Sequence, residues 1–105
     1  MSNRKRRQFQ DVFTEILSGS AVSDVASIAG GARATVAITV SGVAIGDPVI
    51  AVYASADPGN LIMTGKVTAA DTVTVALENN TAGAIDPASM TYYAIVGKVN
   101  AALFV

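Results

Sequence analysis

The chain lacks cysteine, histidine and tryptophan, and charged residues make up only 14% of its 105 residues. The absence of cysteine excludes disulfide bridges, thiolate zinc sites and cysteine nucleophiles, and the absence of histidine excludes the commonest general base. No window approaches the roughly 18 uninterrupted apolar residues of a membrane span. The sequence therefore predicts that the protein is not an enzyme and has no metal site, no cofactor and no membrane-spanning segment.

Hydrophobic residues make up 51% of the chain, a large share beside so few charges. The length fits one domain. Many of the apolar residues are the small alanine and valine, which predicts thin packed layers rather than a large ligand cavity. The surface left after folding would be unusually apolar, and this favours burial against partners.

The charges are distributed unevenly along the chain. Arg4, Lys5, Arg6 and Arg7 supply four of the seven basic residues. From Gln8 onward, three basic residues stand against eight acidic ones, a net charge of −5. The sequence thus describes a basic arm on an acidic body. The polar residues that follow the arm do not fit a signal peptide, so the protein is expected to stay where it is made.

An apolar stripe at helical spacing follows the arm. Its members are Phe9, Val12, Phe13, Ile16 and Leu17, and Gly19 stands where a helix would end. Such a short helix is not stable alone in water and needs a surface to pack against. The stripe predicts a short amphipathic helix at the N-terminus.

The rest of the chain alternates threonine or alanine with valine or isoleucine, which is typical of strands with one buried face. Glycine-rich turns and three Asp-Pro corners separate these runs. We predict strands over residues 21–28, 33–41, 49–55, 61–68, 72–78 and 90–99. The predicted fold is all-β, an antiparallel β-sandwich or small barrel of about six strands, with the short N-terminal helix on an extended arm. We expect an arm and helix over residues 1–20 and a β domain over 21–105.

Few side chains outside the arm suggest a site. The aspartates stand mostly at predicted turns, where backbone geometry favours them, and no Gly-x-Ser-x-Gly motif is present. Tyr53 with either Tyr92 or Tyr93 could form an aromatic platform for a sugar. Adjacent residues of a strand point to opposite faces, so Tyr92 and Tyr93 cannot both face one ligand. A carbohydrate-binding module therefore remains an alternative.

The basic arm has three interpretations: a phosphate-binding segment, a segment that binds an acidic protein surface, or a solubilising tail. The acidic body opposes nucleic-acid binding, so nucleic acid is the weakest alternative. The apolar stripe beside the arm favours a protein partner, because large side chains of this kind dock in pockets. The candidate partner-binding residues are Arg4, Lys5, Arg6, Arg7, Phe9, Val12, Phe13, Ile16 and Leu17.

Three segments of the β domain carry a distinctive set of motifs: residues 43–49 (VAIGDPV), 64–75 (TGKVTAADTVTV) and 79–89 (NNTAGAIDPAS), followed by Thr91 and Tyr92. Through these motifs, residues 40–99 resemble a family of small structural proteins of tailed bacteriophages. Similar phage sequences have the same order of a Gly-Asp strand entry, a Val-Thr-Ala-Ala corner, a Thr-Val-Thr-Val strand and an Ile-Asp-Pro loop. These motifs belong to the scaffold and not to an active site.

The resemblance implies a capsid decoration, or cement, protein on the virion surface, made in the host cytoplasm. Such proteins bridge neighbouring major capsid proteins, commonly as homotrimers, and a short N-terminal arm often reaches across the shell. Related modules are also used in phage tails, baseplates and fibres, which gives a second interpretation for this chain.

Overall fold

The structure is a computed structural model, and it describes residues 12–100. Six strands make up the described chain: β1 Phe13–Ser23, β2 Arg33–Thr39, β3 Val49–Ala54, β4 Ile62–Ala69, β5 Thr72–Glu78 and β6 Met90–Val99. All four strand pairings between them are antiparallel, and no helix is assigned as an element in this part of the chain. The all-β prediction with six antiparallel strands is confirmed.

The strands form two three-stranded sheets. Sheet I has the order β1-β6-β3, and sheet II has the order β2-β5-β4. From β1 in sheet I the chain crosses to sheet II for β2, returns to sheet I for β3, and then forms the β4–β5 hairpin of sheet II before β6. Each sheet therefore has one central strand, β6 in sheet I and β5 in sheet II.

Alternation along the central strands determines which side chains are buried. In β5, Val73, Val75 and Leu77 are fully buried, while the residues between them are half-buried. In β6, Tyr92 and Val96 are fully buried in the same way. The inner positions of both sheets join one apolar core, which is completed by loop residues before β2 and after it. Period-two alternation thus gives each sheet one inner and one outer face.

The two sheets approach each other closely at both edges. A Cβ atom added to Gly19 in β1 would overlap the carbonyl oxygen of Thr39 in β2. A Cβ atom added to Gly65 in β4 would lie 2.6 Å from Cγ1 of Val52 in β3. Glycine is therefore required at both positions by the contact between β1 and β2 and by that between β3 and β4.

The predicted N-terminal helix is wrong where the structure describes it. Residues 13–17 belong to β1, which pairs with β6 from Phe13↔Val99 to Ser23↔Met90. A bulge between Phe13 and Glu15 shifts the register, so the apolar stripe is divided between the two faces of the strand. Pairing with the long central strand β6 outweighs the helical spacing, which spans only a few residues. The first predicted strand, 21–28, correspondingly lies earlier in the chain, at Phe13–Ser23.

The two ends of the β body differ. One end, which we call the terminal end, contains Val12 and Asn100 together with the β2–β3 loop and the β4–β5 turn, which is hydrogen-bonded to that loop. In that turn Asp71 has a positive φ of 61°, and its carboxylate accepts a 2.7 Å hydrogen bond from the N–H of Gly42. At the opposite end, the loop end, Ile28 and Ile85 exchange two backbone hydrogen bonds of 2.7 and 2.9 Å.

Candidate functional site

The predicted partner-binding residues are only partly within the described chain. Arg4, Lys5, Arg6, Arg7 and Phe9 lie outside it. The four others are placed in or next to β1: Val12 and Ile16 are exposed, and Leu17 packs against the core. The ring of Phe13 lies over Gly97 of β6, where an added Cβ would be 2.5 Å from two ring carbons. Phe13 and Ile16 are therefore on the outer side of sheet I, and Leu17 is on its inner side.

The terminal end brings the two ends of the described chain together. The N–H of Asn100 donates a 2.8 Å hydrogen bond to the carbonyl of Val12, which continues the β1–β6 ladder. The basic residues before Val12 and the apolar residues 101–105 (AALFV) are therefore joined to adjacent strands at the same end of sheet I. Exposed apolar side chains at this end include Val12, 43% exposed, and Ile45, 72% exposed.

An ion pair connects the β2–β3 loop to β6 at the terminal end. Lys98 Nζ lies 2.5 Å from Oδ2 of Asp47, and both side chains are mostly buried. The same carboxylate oxygen accepts a 2.9 Å hydrogen bond from the N–H of Ala44. The Lys98 ammonium and then the Ala44 N–H hold the pKa of Asp47 below its ordinary value. The ion pair thus holds the β2–β3 loop against β6.

The outer face of sheet I carries an aromatic pair, and we call this surface the tyrosine face. Tyr53 of β3 and Tyr93 of β6 are cross-strand partners whose rings stack at a centroid distance of 4.7 Å and an angle of 15°. The remaining outer positions of the three strands are Ile16, Ser18, Ser20, Val22, Ala51, Thr91, Ile95, Gly97 and Val99. Phe13 and Ile50 cover Gly97 on this same face.

A shallow depression of about 270 Å³ lies on the tyrosine face beside the aromatic pair. Ser18 and Ser20 of β1 line it together with Tyr53 and Tyr93. Hydroxyl groups next to an aromatic wall suit a neutral polar ligand such as a sugar. Sequence reasoning missed the serines because Gly19 between them was interpreted as the end of a helix. The alternation Ser18, Ser20, Val22 was the available signal.

Tyr92 has the opposite orientation to Tyr93, as alternation predicts. Its side chain is fully buried in the core. Among the described residues, its hydroxyl meets no hydrogen-bond partner. Burial raises the pKa of Tyr92, and the nearby charge of Asp24 adds to the effect. Tyr92 is therefore a core residue and cannot stack on a ligand together with Tyr53.

The outer face of sheet II has a different chemistry. Threonines occupy half of its strand positions, and it carries the exposed Lys66 and an ion pair of 3.7 Å between Arg33 and Glu78. A shallow depression of about 290 Å³ lies on this face between Thr35 and Thr64. The two hydroxyls of Thr68 and Thr74 bond each other at 2.7 Å. This surface carries charges of both signs at its strand positions, and the tyrosine face carries none.

Residues 12–100 contain no helix that could span a bilayer. Within the same residues, no group of three or more aspartate or glutamate side chains is placed to hold a metal ion. Comparison of the whole chain with family models, with curated proteins and with solved structures gave no significant match.

Proposed function

We propose that the protein is a structural virion protein that decorates a phage capsid and stabilises the head by bridging neighbouring major capsid proteins. It would act on the capsid surface as a homo-oligomer, with a trimer favoured. In this proposal the two sheets form a sandwich that holds the attachment segments in place. The phage-like motifs of residues 40–99 and the arrangement of the terminal end support this function.

The observation that carries the proposal is the hydrogen bond between Asn100 and Val12. It brings the connection to the basic arm and the connection to the apolar tail to one end of sheet I. A partner surface at that end can meet both a cluster of positive charges and apolar side chains. Acidic patches beside apolar pockets on a capsid protein would be complementary to this combination.

Capsid binding of an arm-deleted protein tests the proposal. The deletion should remove residues 1–11 and keep β1, because loss of β1 would break sheet I. We expect the shortened protein to retain its thermal unfolding midpoint and to lose binding to the undecorated capsid. Undiminished binding would contradict attachment through the arm.

A charge-reversal variant separates charge from length. The changes Arg4→Glu, Lys5→Glu, Arg6→Glu and Arg7→Glu should weaken capsid binding and reduce its sensitivity to salt. The matched control changes Arg4, Arg6 and Arg7 to lysine, which keeps the positive charge. Equal binding by the two variants would show that charge complementarity plays no part.

The second interpretation places the same module in a phage tail, baseplate or fibre. Electron microscopy of labelled virions distinguishes the two, since a decoration protein covers the head in many copies and a tail part is present in few. A label confined to the tail would replace the capsid proposal with this one.

The stacked pair of Tyr53 and Tyr93 beside Ser18 and Ser20 favours one further candidate, a carbohydrate-binding module. A glycan array tests it, with Tyr53→Ala as the variant that should lose any signal and Ile45→Ala as the control. Absence of binding by the unchanged protein would remove this candidate.

A further inference from the structure

The tyrosine face carries no charged residue at any of its strand positions. Residues 12–100 contain seven acidic and three basic residues, and all ten lie elsewhere. Glu15 and Lys98, the charged residues of β1 and β6, are opposite each other in the strand register and lie on the other side of sheet I from Tyr93. An uncharged patch over a whole sheet face differs from the outer face of sheet II, which carries both signs of charge.

Large apolar side chains are exposed on this face. Val22 is 75% exposed and Tyr53 is 48% exposed. Ile16 and Ile50 are 40% and 45% exposed near the terminal end. Several large apolar side chains exposed on one uncharged face are typical of an interaction site.

The size of the face suits a modest interface. β1, β6 and β3 contain 11, 10 and 6 residues, and each strand residue covers about 16 Å² of sheet, from a rise of ~3.3 Å and a strand spacing of ~4.8 Å. The face thus covers about 430 Å² in plan, and side-chain relief increases its accessible area. Two such faces in contact bury on the order of 1,000 Å², which is at the lower end of specific interfaces.

Charge favours a second copy of this chain as the occupant. The described body has a net charge of −4, so copies repel each other through their charged surfaces. The tyrosine face is the strand face on which like copies meet without placing charge against charge. An acidic or basic partner would find no complementary charge on it. We propose that the tyrosine face is the self-association surface of this protein, where it packs against the same face of further copies.

The width of sheet I is compatible with three copies around an axis. Packed sheets are usually about 10 Å apart, so each sheet would lie about 5 Å from a shared axis. Three such sheets form a triangular prism whose sides are about 17 Å wide. Three strands are about 14 Å wide, so each sheet nearly fills one side of such a prism. Two copies in contact face to face would bury the same surface around a twofold axis.

The mass of the protein in solution, with and without a charge on the face, tests this inference. We expect the unchanged protein to form a dimer or trimer as its concentration rises, measured by light scattering coupled to size exclusion. Val22→Lys should shift it to monomer, because a charge at this exposed position would be buried in the interface. Ile45→Lys is the matched control, since Ile45 is 72% exposed in the β2–β3 loop, and it should leave the mass unchanged.

Two results would overturn the inference. One is a protein that stays monomeric across the concentration range, and the other is an oligomer whose mass Val22→Lys does not change. Unaltered thermal unfolding of monomeric Val22→Lys would show that the substitution acts on association and not on folding. If Val22→Lys prevents folding, site-directed cross-linking decides which face associates.

Site-directed cross-linking identifies the face directly, because the chain contains no cysteine. Ser20→Cys places one thiol beside Tyr93 on the tyrosine face, and Thr35→Cys places one on the outer face of sheet II. A short bis-maleimide should link copies of Ser20→Cys and leave Thr35→Cys as single chains. If only Thr35→Cys were linked, the copies would associate through the outer face of sheet II, and the inference would be overturned.

This inference rests on the homo-oligomer in the proposed function and needs no capsid. A monomer that binds capsids would overturn the self-association surface and leave decoration in place. An oligomer that forms through the tyrosine face but does not bind capsids would support the self-association surface and overturn the decoration function.

Discussion

Replacement of Asn79 by alanine should markedly destabilise the protein, because its buried side chain makes four hydrogen bonds. Asn79 is fully buried at the loop end, directly after β5. Its Nδ2 group donates to the carbonyls of Ile28 at 2.8 Å and Gly83 at 2.9 Å. Its Oδ1 atom accepts from the N–H of Thr81 at 3.0 Å and from the Thr81 hydroxyl at 2.6 Å. One side chain thus connects the segment before β2 with the loop after β5.

The magnitude follows from which partners lose their hydrogen bonds without regaining water. The carbonyl of Ile28 keeps its 2.9 Å hydrogen bond from the N–H of Ile85, so the loss of its bond from Asn79 costs about 0.5–1 kcal/mol. Gly83 is exposed and Thr81 is half-buried, so each of their lost bonds costs about 0.5–1 kcal/mol. We expect Asn79→Ala to lower the free energy of unfolding by about 2–4 kcal/mol in total.

Denaturant unfolding monitored by circular dichroism measures this change. The neighbouring Asn80 is exposed, so Asn80→Ala is a matched control and should change stability by less than about 0.5 kcal/mol. Asn79→Asp should be more damaging at neutral pH than at pH 4, since its carboxylate would face two carbonyl oxygens and its protonated form can donate to one. Equal stability of Asn79→Ala and Asn80→Ala would refute the reasoning.

Three further predictions concern the core and the terminal end. Tyr92→Phe should leave the free energy of unfolding unchanged or raise it by up to about 1 kcal/mol, because it removes a buried hydroxyl; a clear loss in denaturant unfolding would reveal a bonded hydroxyl. Gly65→Ala should cost about 1–3 kcal/mol through overlap with Val52, and the added change Val52→Ala should recover part of it; no recovery in the double variant would contradict a direct clash. The lowered pKa of Asp47 means that its ion pair stabilises the fold above pH ~4 and that this contribution is lost as the pH falls through the folded pKa. The unfolding midpoint of Lys98→Met should accordingly depend less on pH in that range, and an unchanged acid profile would argue against the ion pair.

The sequence predicts the strands of this protein well where alternation is regular. The predicted strands 72–78 and 90–99 coincide with β5 and β6, and the predicted strand 33–41 extends only two residues past the end of β2. In β2 and β5, valine, isoleucine or leucine recurs at every second position, which suits a strand and not a helix. The three Asp-Pro corners also lie between strands, as proline's missing N–H requires.

The sequence misleads at β1 because its apolar spacing fits two structures. Val12, Phe13, Ile16 and Leu17 form a stripe on a helix, but with a bulge they also fit a strand that places side chains on both faces. The choice depends on β6, which lies more than 70 residues away and offers a complete hydrogen-bonding edge. The role of Asn79 was equally hidden, since it depends on Ile28 and Gly83 meeting only in the folded protein.

The two proposals are linked by the direction in which the terminal ends point. If three tyrosine faces pack around an axis parallel to the strands, the terminal ends of all three copies lie at the same end of the assembly. Three basic arms then meet one capsid surface together, and linked binding of this kind can strengthen attachment by about 10²–10⁴-fold over a single arm. Four positive charges per arm are a weak attachment alone, because exposed ion pairs contribute little each. Self-association through an uncharged face would thus provide the multivalency that weak arms need for stable attachment to the capsid. A monomeric variant with an intact arm should accordingly bind capsids poorly.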